Sequence, residues 1–210
     1  MRAFRIYPPA ARTRMAESAR KSLMKTHVTL SLVTAVLLWA TAAPCQDKAK
    51  VHVDRPLVTA HPQDVSSIEG IVRASYETIS GGVGVPRQWG RDRTLCDPHM
   101  RFVSLSKDPK TGKVTRSSGT EQDFADHADA YFVKTGFSEH ELAHAIHRFG
   151  NVATVLSSYE GRETAGSKPP DRGVNIFQLY NDGQRWWVLS IIWDEERPDN
   201  PIPQELLPKK

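Results

Sequence analysis

The chain has 210 residues, 39% of them hydrophobic, which is enough for one domain with a sizeable core. Its formal net charge of +4 comes from the N-terminus, because residues 1–45 hold seven of the 28 Lys and Arg residues and one of the 24 Asp and Glu residues, so the remainder carries −2. Since that remainder has neither a net basic charge nor a recognition motif, we exclude a nucleic-acid-binding protein.

A short apolar segment at residues 28–43 dominates the N-terminal part of the chain. Its 16 uncharged residues are fewer than the roughly 20 of a membrane-spanning helix and are typical of the hydrophobic part of a secretory signal peptide. Residues 40–42 fit an A-x-A cleavage site, and residues 43–45 are an alternative. We predict that residues 1–45 are a leader with a signal peptide, and that the mature protein is secreted or periplasmic without a stable membrane span.

Residues 1–23 are basic and rich in Ala and Arg. They would make an unusually long charged region ahead of a signal peptide, so Met24 is an alternative start of the protein. An organellar transit peptide is the competing interpretation. The long apolar segment that follows is not typical of a transit peptide.

The first predicted helix follows a polar segment at residues 46–63, which contains prolines and is predicted to be a linker without its own core. Ser66 and Glu69 form an S-x-x-E capping box. Apolar residues then recur with helical spacing until Gly81 ends the run. Residues 86–95 are predicted to form a short second helix.

A hairpin and a third helix are predicted next. Residues 101–106 and 114–118 alternate between apolar and polar side chains on either side of a segment rich in turn formers, which indicates two paired strands. Thr120 and Asp123 open the third helix, whose apolar stripe ends at Gly136.

His140, Glu141 and His144 spell H-E-x-x-H, the signature of zinc-peptidase helices. On a helix, side chains four residues apart lie about 6 Å from each other, and one zinc ion can bind both histidines. On a strand, the two imidazoles would lie about 13 Å apart on one face, with Glu141 on the other. Because Gly150-Asn151 favours a hairpin turn and is followed by β-branched residues, we predict a strand and no metal site.

The predicted hairpin around Gly150-Asn151 has a definite register. The pairing sets Phe149 opposite Val152, Ile146 opposite Val155, His144 opposite Ser157, and Leu142 opposite Tyr159. The last three pairs share one face of the hairpin, because side chains alternate along a strand. That face is predicted to be mostly apolar with a polar insert.

A second hairpin is predicted from residues 173–180 and 185–194, joined by a turn at Asp182-Gly183. Regular alternation places Asn175 and Asp194 on the same face of this hairpin. Both faces are largely apolar, whereas a sheet with one solvated side has a polar face. We therefore expect helices on one face and a partner subunit on the other, which gives a homodimer through the sheet.

The order of these elements resembles the NTF2-like superfamily, within its SnoaL-like branch. The segments that carry the resemblance are IEGIVRASYETISGG, HRFGNVATVLSSYEGR and RGVNIFQLYNDGQRWWVLSIIWD. The resemblance covers residues 64–197 and implies an α+β fold, in which a curved antiparallel sheet wraps around about three helices to form a cone with a pocket. Residues 198–210 hold four prolines and are predicted to be an extended tail.

Function is less constrained than fold, because the superfamily includes both enzymes and proteins without catalysis. The sequence has no branch-specific catalytic motif, so the catalytic residues stay unassigned and no cofactor is predicted. A pocket needs apolar walls with a few convergent polar groups. The candidate pocket residues are His144, Ser157, Tyr159, Asn175 and Asp194, and the first prediction is a secreted protein that binds a small apolar or amphipathic ligand.

Two alternative functions stay open. A cofactor-independent isomerase, dehydratase or hydrolase of the same fold would use His144 as its base, polarised by a carboxylate such as Asp194. The structural alternative for His144 is a buried side chain hydrogen-bonded to Ser157. A zinc peptidase through His140, Glu141 and His144 is more distant, because a third ligand is missing from the motif.

Overall fold

The computed structural model describes residues 52–166 and 168–209. The predicted leader at 1–45 and the first part of the predicted linker lie outside the described residues. The described elements are α1 (Pro62–Val65), α2 (Ile68–Ile79), α3 (Trp89–Leu95), β1 (Cys96–Lys107), β2 (Val114–Gly119), α4 (Glu121–Thr135), β3 (Phe137–Phe149), β4 (Val152–Glu163), β5 (Asp171–Asn181), β6 (Trp186–Glu195) and a 3-10 turn (Gln204–Leu206).

The strands form one sheet in the order β2-β1-β6-β5-β4-β3. Neighbouring strands run antiparallel except β1 and β6, which pair in parallel. The prediction of a wholly antiparallel sheet was therefore wrong at this one pair. Hairpin signals set the direction of consecutive strands, but β1 and β6 are joined by a long connection that permits either direction.

The helices pack on one face of the sheet and bury an apolar core there. The core joins Ile71 and Val72 of α2 to Val155, Phe177 and Val188 of the central strands, each at most 1% exposed. The predicted α+β architecture is confirmed: helices cover one face of a six-stranded mixed sheet. No helix of the described chain is long and apolar enough to cross a membrane.

The ends of α4 are as predicted, whereas the start of α2 is not. Thr120 and Asp123 open α4, where they form a capping box, and Gly136 ends that helix in the left-handed conformation with φ 68°. The predicted Ser66 cap of α2 was wrong, because Ser67 is the N-cap and its side chain accepts from the Gly70 amide at 2.9 Å. Ser66 instead ends the short helix α1 that precedes α2.

A β-bulge interrupts the hairpin of β3 and β4. The register is as predicted from Phe149 opposite Val152 as far as His144 opposite Ser157, but Tyr159 then pairs with Glu141 instead of Leu142. Leu142 is the extra residue, so every residue before it lies on the opposite face from that given by regular alternation. Glu141 consequently lies on the helix-covered inner face of the sheet with His144.

A second bulge has the same effect in the hairpin of β5 and β6. Val188 pairs with Leu179 and Ser190 pairs with Gln178, so Leu189 is the extra residue. The predicted shared face of Asn175 and Asp194 was therefore wrong, because Asn175 lies opposite Trp193 on the inner face while Asp194 lies on the outer face.

The segments on either side of these elements also contact the domain. In the segment predicted as a linker, Val53 and Ala60 pack against the core. In the segment predicted as a tail, Ile202 is 7% exposed and Leu206 is 2% exposed. The Ser158 hydroxyl, on the outer face of β4, donates to the Leu206 carbonyl at 2.5 Å. The 3-10 turn therefore lies against the outer face of the sheet.

Candidate functional site

A cavity of about 100 Å³ lies between the helices and the inner face of the sheet. This volume is enough for several waters or a small organic group. Its wall is largely apolar and rich in aromatic side chains from both layers, including Phe102, Phe124, Phe132, Phe137, Phe177 and Trp193.

These aromatic rings contact one another. Phe102 stacks on Phe124 with ring centroids 4.5 Å apart, and Phe132 stacks on Phe137 at 4.3 Å. The Trp193 ring meets Phe102 and Phe124 edge to face at 6.2 and 6.4 Å. Such pairs fix ring orientations as well as burying apolar area, so the wall is preorganised.

Glu139 is the central polar group of the cavity. It lies on β3 beyond the bulge, and the Asn175 amide nitrogen donates to its Oε1 at 3.2 Å. Its Oε2 makes no hydrogen bond with another described residue. Burial raises the pKa of the Glu139 carboxyl to about 7, the nearby Asp171 charge adds to this, and the Asn175 hydrogen bond opposes it. Glu139 can therefore accept or release a proton near neutral pH.

A chain of hydrogen bonds continues from Asn175 through Tyr76, which also lines the cavity, to residues behind the wall. The Asn175 amide donates to the Tyr76 hydroxyl at 3.1 Å, and this hydroxyl lies 2.7 Å from the Ser157 Oγ. The Ser157 hydroxyl donates to Glu141 Oε1 at 2.9 Å, so its oxygen accepts the Tyr76 proton. His144 Nδ1 contacts the same Glu141 oxygen at 2.8 Å. The chain thus links the cavity to the exposed His144.

Tyr159 supplies a second polar group inside the cavity. Its side chain is on the inner face of β4 and is 5% exposed, and its hydroxyl makes no hydrogen bond with another described residue. Burial and the nearby Glu139 charge raise the pKa of this phenol well above its ordinary value. The Tyr159 hydroxyl therefore stays protonated and is available to a ligand.

The open end of the cavity is acidic. The exposed Asp171 marks this end, together with Glu163 and Glu195. Glu163 bonds to the Tyr131 hydroxyl and to Lys168, whose Nζ lies 2.8 Å from its Oε1. Burial raises the pKa of Asp171, although Lys168 opposes the shift.

A second acid, Asp92, lies against the inner part of the cavity. It is 4% exposed, and its Oδ1 accepts a hydrogen bond from Thr78 at 2.9 Å. Its Oδ2 is buried without a hydrogen-bond partner in the described structure. Burial raises the pKa of Asp92 to about 6.

The structure separates the five predicted pocket residues. Tyr159 and Asn175 line the cavity, and Ser157 lies directly behind its wall. His144 is at the exposed end of the hydrogen-bond chain rather than in the cavity. Asp194 faces outward, where two hydrogen bonds from Arg197 hold the pKa of its carboxyl below the usual range. The interpretation of Asp194 as the partner of His144 was wrong, because the partner is Glu141.

Glu139 and Tyr76 were not predicted as site residues. Tyr76 is part of the apolar stripe of α2 and was assigned to packing alone. Glu139 lies in a polar, charged segment, and regular pairing would place its side chain on the outer face. The sequence signal was that Glu139 and Glu141 lie on one face of the strand. Two carboxylates on one face indicate a polar site inside the fold if a bulge turns that face inward.

The H-E-x-x-H residues lie on strand β3, as predicted. The expectation that both imidazoles share one face was wrong, because the bulge places His140 outside and His144 inside. Within the described residues, no group of three or more His, Cys, Asp or Glu side chains could hold a metal ion.

Comparison with known proteins finds similar solved structures, several of them described as NTF2-like proteins. No protein-family model matches the chain, and no curated protein is similar in sequence. An NTF2-like superfamily protein from Salmonella enterica is 17% identical with a TM-score of 0.42, covering 65% of this chain and 89% of its own. An NTF2-like protein of unknown function from Shewanella baltica is 15% identical with a TM-score of 0.39, covering 60% and 86%.

Proposed function

We propose that this protein binds a small apolar or amphipathic molecule in the cone cavity. The observation that carries the proposal is an aromatic-walled cavity into which Glu139, Asn175 and Tyr159 bring polar groups. Mostly apolar walls with a few convergent polar groups are typical of small-molecule sites. We further propose that the protein belongs to the SnoaL-like branch of the NTF2-like superfamily.

The binding proposal is tested by filling the cavity. Ile79 lines the cavity on α2, and Leu189 is a 44% exposed residue of the outer face. We expect wild type and the control Leu189→Trp to bind benzyl alcohol saturably, as followed by the indole N–H resonance of Trp193. Ile79→Trp should not bind, because the added ring occupies the cavity. Equal binding by both variants would place the probe elsewhere and contradict the proposal.

A second candidate function is cofactor-independent proton transfer, with Glu139 in place of His144 as the base. The observation that favours it is the Glu139 pKa of about 7 together with its free Oε2 inside the cavity. A carboxylate poised near neutral pH in a largely apolar cavity is suited to removing a proton from carbon. The Tyr159 hydroxyl could donate to the oxygen on which negative charge develops.

Hydrogen exchange tests the catalytic candidate directly. Wild type in D₂O should accelerate exchange of the α-protons of phenylacetone, with a rate that rises with pH through about 7 as Glu139 ionises. Glu139→Gln should lose the acceleration by a factor of roughly 100 or more, whereas His144→Gln should retain it. Retained exchange in Glu139→Gln would remove Glu139 as the base.

We propose that residues 1–45 are removed during export and that the mature protein is secreted or periplasmic. The apolar segment at 28–43 and the A-x-A site at 40–42 support this proposal. The intact mass of protein recovered from the periplasm or the medium of its host should correspond to cleavage after Ala42 or a neighbouring residue. An unprocessed chain in the cytoplasm would contradict it.

We also propose a homodimer through the outer face of the sheet. Leu189 is 44% exposed there, and Leu156, Ile176 and Ile192 are half-buried beside it. Apolar patches of this kind mark interaction surfaces. Sedimentation equilibrium should give a dimer at micromolar concentration, and Leu189→Asp should shift it to a monomer. A monomeric wild type would contradict the proposal.

A further inference from the structure

The charged side chains of the cavity are all acidic. Among the described residues that line it are Asp92, Glu139, Glu163, Asp171 and Glu195, and no Lys, Arg or His is present. Lys168 lies near the open end but already binds Glu163. The interior therefore has a negative potential that the lining side chains do not neutralise.

Two oxygens in buried side chains have no hydrogen-bond partner among the described residues. One is Asp92 Oδ2, which is itself buried, and the other is the Tyr159 hydroxyl, in a side chain 5% exposed. Because buried polar atoms normally have a partner, Asp92 Oδ2 is available to a ligand group. The Tyr159 hydroxyl lines the same cavity and is available in the same way.

The aromatic wall also favours a positively charged ligand. The faces of Phe, Tyr and Trp rings carry partial negative charge and attract cations, with Trp the strongest. Trp193 meets Phe102 and Phe124 at centroid distances of 6.2 and 6.4 Å, and all three rings line the cavity. This arrangement resembles the aromatic surfaces that bind organic ammonium groups.

We infer that the ligand of this cavity is a small organic cation, an ammonium group carried on an apolar or aromatic body. The inference rests on the proposed binding function and gives its ligand class. The ammonium group hydrogen-bonds to Glu139 Oε2 and the Tyr159 oxygen, while the apolar body packs against the aromatic wall. A carboxylate or phosphate ligand is disfavoured because it would approach Glu139 and Asp171 without a cationic side chain in the lining to bind it.

The inference implies a pH dependence of binding. Asp171, Tyr76 and Tyr159 are the titratable groups that interact with Glu139 from the neighbouring strands and from α2. Because the pKa of Glu139 is about 7, the carboxyl is largely neutral below that pH and ionised above it. A ligand that stays cationic throughout should bind more tightly as pH rises from 6 to 8.

Three probes of similar size separate the ligand classes: benzylammonium, benzyl alcohol and benzoate. Calorimetric titration of the full mature chain at pH 8 should show benzylammonium binding at least roughly tenfold more tightly than benzyl alcohol, because ion pairing and cation–π contact add to apolar burial. Benzoate should bind most weakly. The preference for benzylammonium should decrease at pH 6.

Glu139→Gln should abolish most of this preference while leaving benzyl alcohol affinity within a factor of about two, because the amide preserves shape. Glu160→Gln is the matched control, since Glu160 lies on the outer face of β4 and pairs with Arg162. It makes the same change of net charge and should keep the preference. If Glu139→Gln does not fold, the pH dependence of benzylammonium binding by wild type tests the inference instead.

The outcomes distinguish the inference from the function on which it rests. If benzyl alcohol or benzoate binds as tightly as benzylammonium, the cation inference is wrong and the binding function stands. If no probe binds, both are wrong. A preference for benzylammonium that survives in Glu139→Gln and does not change with pH also overturns the inference, because Glu139 is then not its source.

Discussion

Each of the hairpins β3–β4 and β5–β6 has two parts that differ in register. The near half lies between the turn and the bulge, and the far half lies beyond the bulge. Between each turn and its bulge, β3–β4 and β5–β6 follow the regular alternation that the sequence predicts. Beyond Leu142 and Leu189 the faces are exchanged. The exchange brings Glu139 and Trp193 to the inner face, so the cavity chemistry is built on the far halves, while the near halves contribute mainly to the core.

Inserting an alanine between Tyr159 and Glu160 should have the largest effect, because it gives Leu142 a partner in β4 and removes the bulge. The far half of β3 would then follow regular alternation, placing His140 toward the core and Glu139 on the outer face. We expect a loss of unfolding free energy of about 4 kcal/mol or more and no probe binding. Urea denaturation measures it, with an alanine inserted after the exposed Thr111, between β1 and β2, as the control of equal length. An insertion after Tyr159 that leaves the domain as stable as that control would show that the bulge is dispensable.

Arg87 anchors the far half of β3, and its removal should have the next largest effect. Its guanidinium is buried, at 6% exposure, and donates to the carbonyls of Gly81, Phe132 and Phe137. Arg87→Met would leave several buried carbonyls without a donor, so we expect a loss of about 3 kcal/mol in urea denaturation.

Arg101 provides the matched control for this change. Arg101 is exposed and its guanidinium bonds to the adjacent Met100 carbonyl. Arg101→Met should stay within about 0.5 kcal/mol of wild type. Similar losses in the two variants would mean that the carbonyl contacts of Arg87 do not stabilise the domain.

Glu139 should make the stability of the far half depend on pH. Burial raises its pKa from 4.5 to about 7, so the fold favours the protonated carboxyl. Its contribution is fully present below pH 4.5 and is lost as pH rises through 7. The unfolding free energy of Glu139→Gln minus that of wild type should therefore increase by roughly 1–3 kcal/mol from pH 4 to pH 8. Urea denaturation at both pH values measures the change, and a constant difference would contradict the buried-acid interpretation.

Ser157 lies where the near and far halves meet, and its replacement should have the smallest of these effects. The Ser157 hydroxyl accepts from Tyr76 and donates to Glu141. We expect Ser157→Ala to lose about 1–2 kcal/mol, with Tyr76→Phe showing a coupling of about 1 kcal/mol in a double-mutant cycle. Ser118→Ala, at an exposed position of β2, is the control. Additive losses would mean that the hydrogen bond contributes nothing.

The sequence predicted the near halves because their turns carry specific signals. Gly150 and Gly183 adopt positive φ values of 56° and 95°, conformations that glycine favours at hairpin turns. These turns fix the register of the residues next to them. The same information predicted the strand at the H-E-x-x-H motif and two residues of the cavity, Tyr159 and Asn175.

The far halves could not be predicted because no local signal marks either bulge. Leu142 and Leu189 are apolar residues in strands with two largely apolar faces, so either face accommodates them. The choice is made by tertiary contacts: Glu141 bonds to Ser157 and His144, and the Ala143 amide bonds to the Ser158 hydroxyl across the bulge. The parallel pairing of β1 with β6 is likewise a long-range contact.

The 3-10 turn at Gln204–Leu206 has a practical consequence for expressing this domain. A truncation chosen from proline content would stop near residue 197 and remove the buried side chains of Ile202 and Leu206. It would also remove the carbonyl that accepts from Ser158, leaving that hydroxyl with the Ala143 backbone as its remaining partner. Recombinant chains should therefore extend past Leu206, with any affinity tag joined after that point through a flexible spacer.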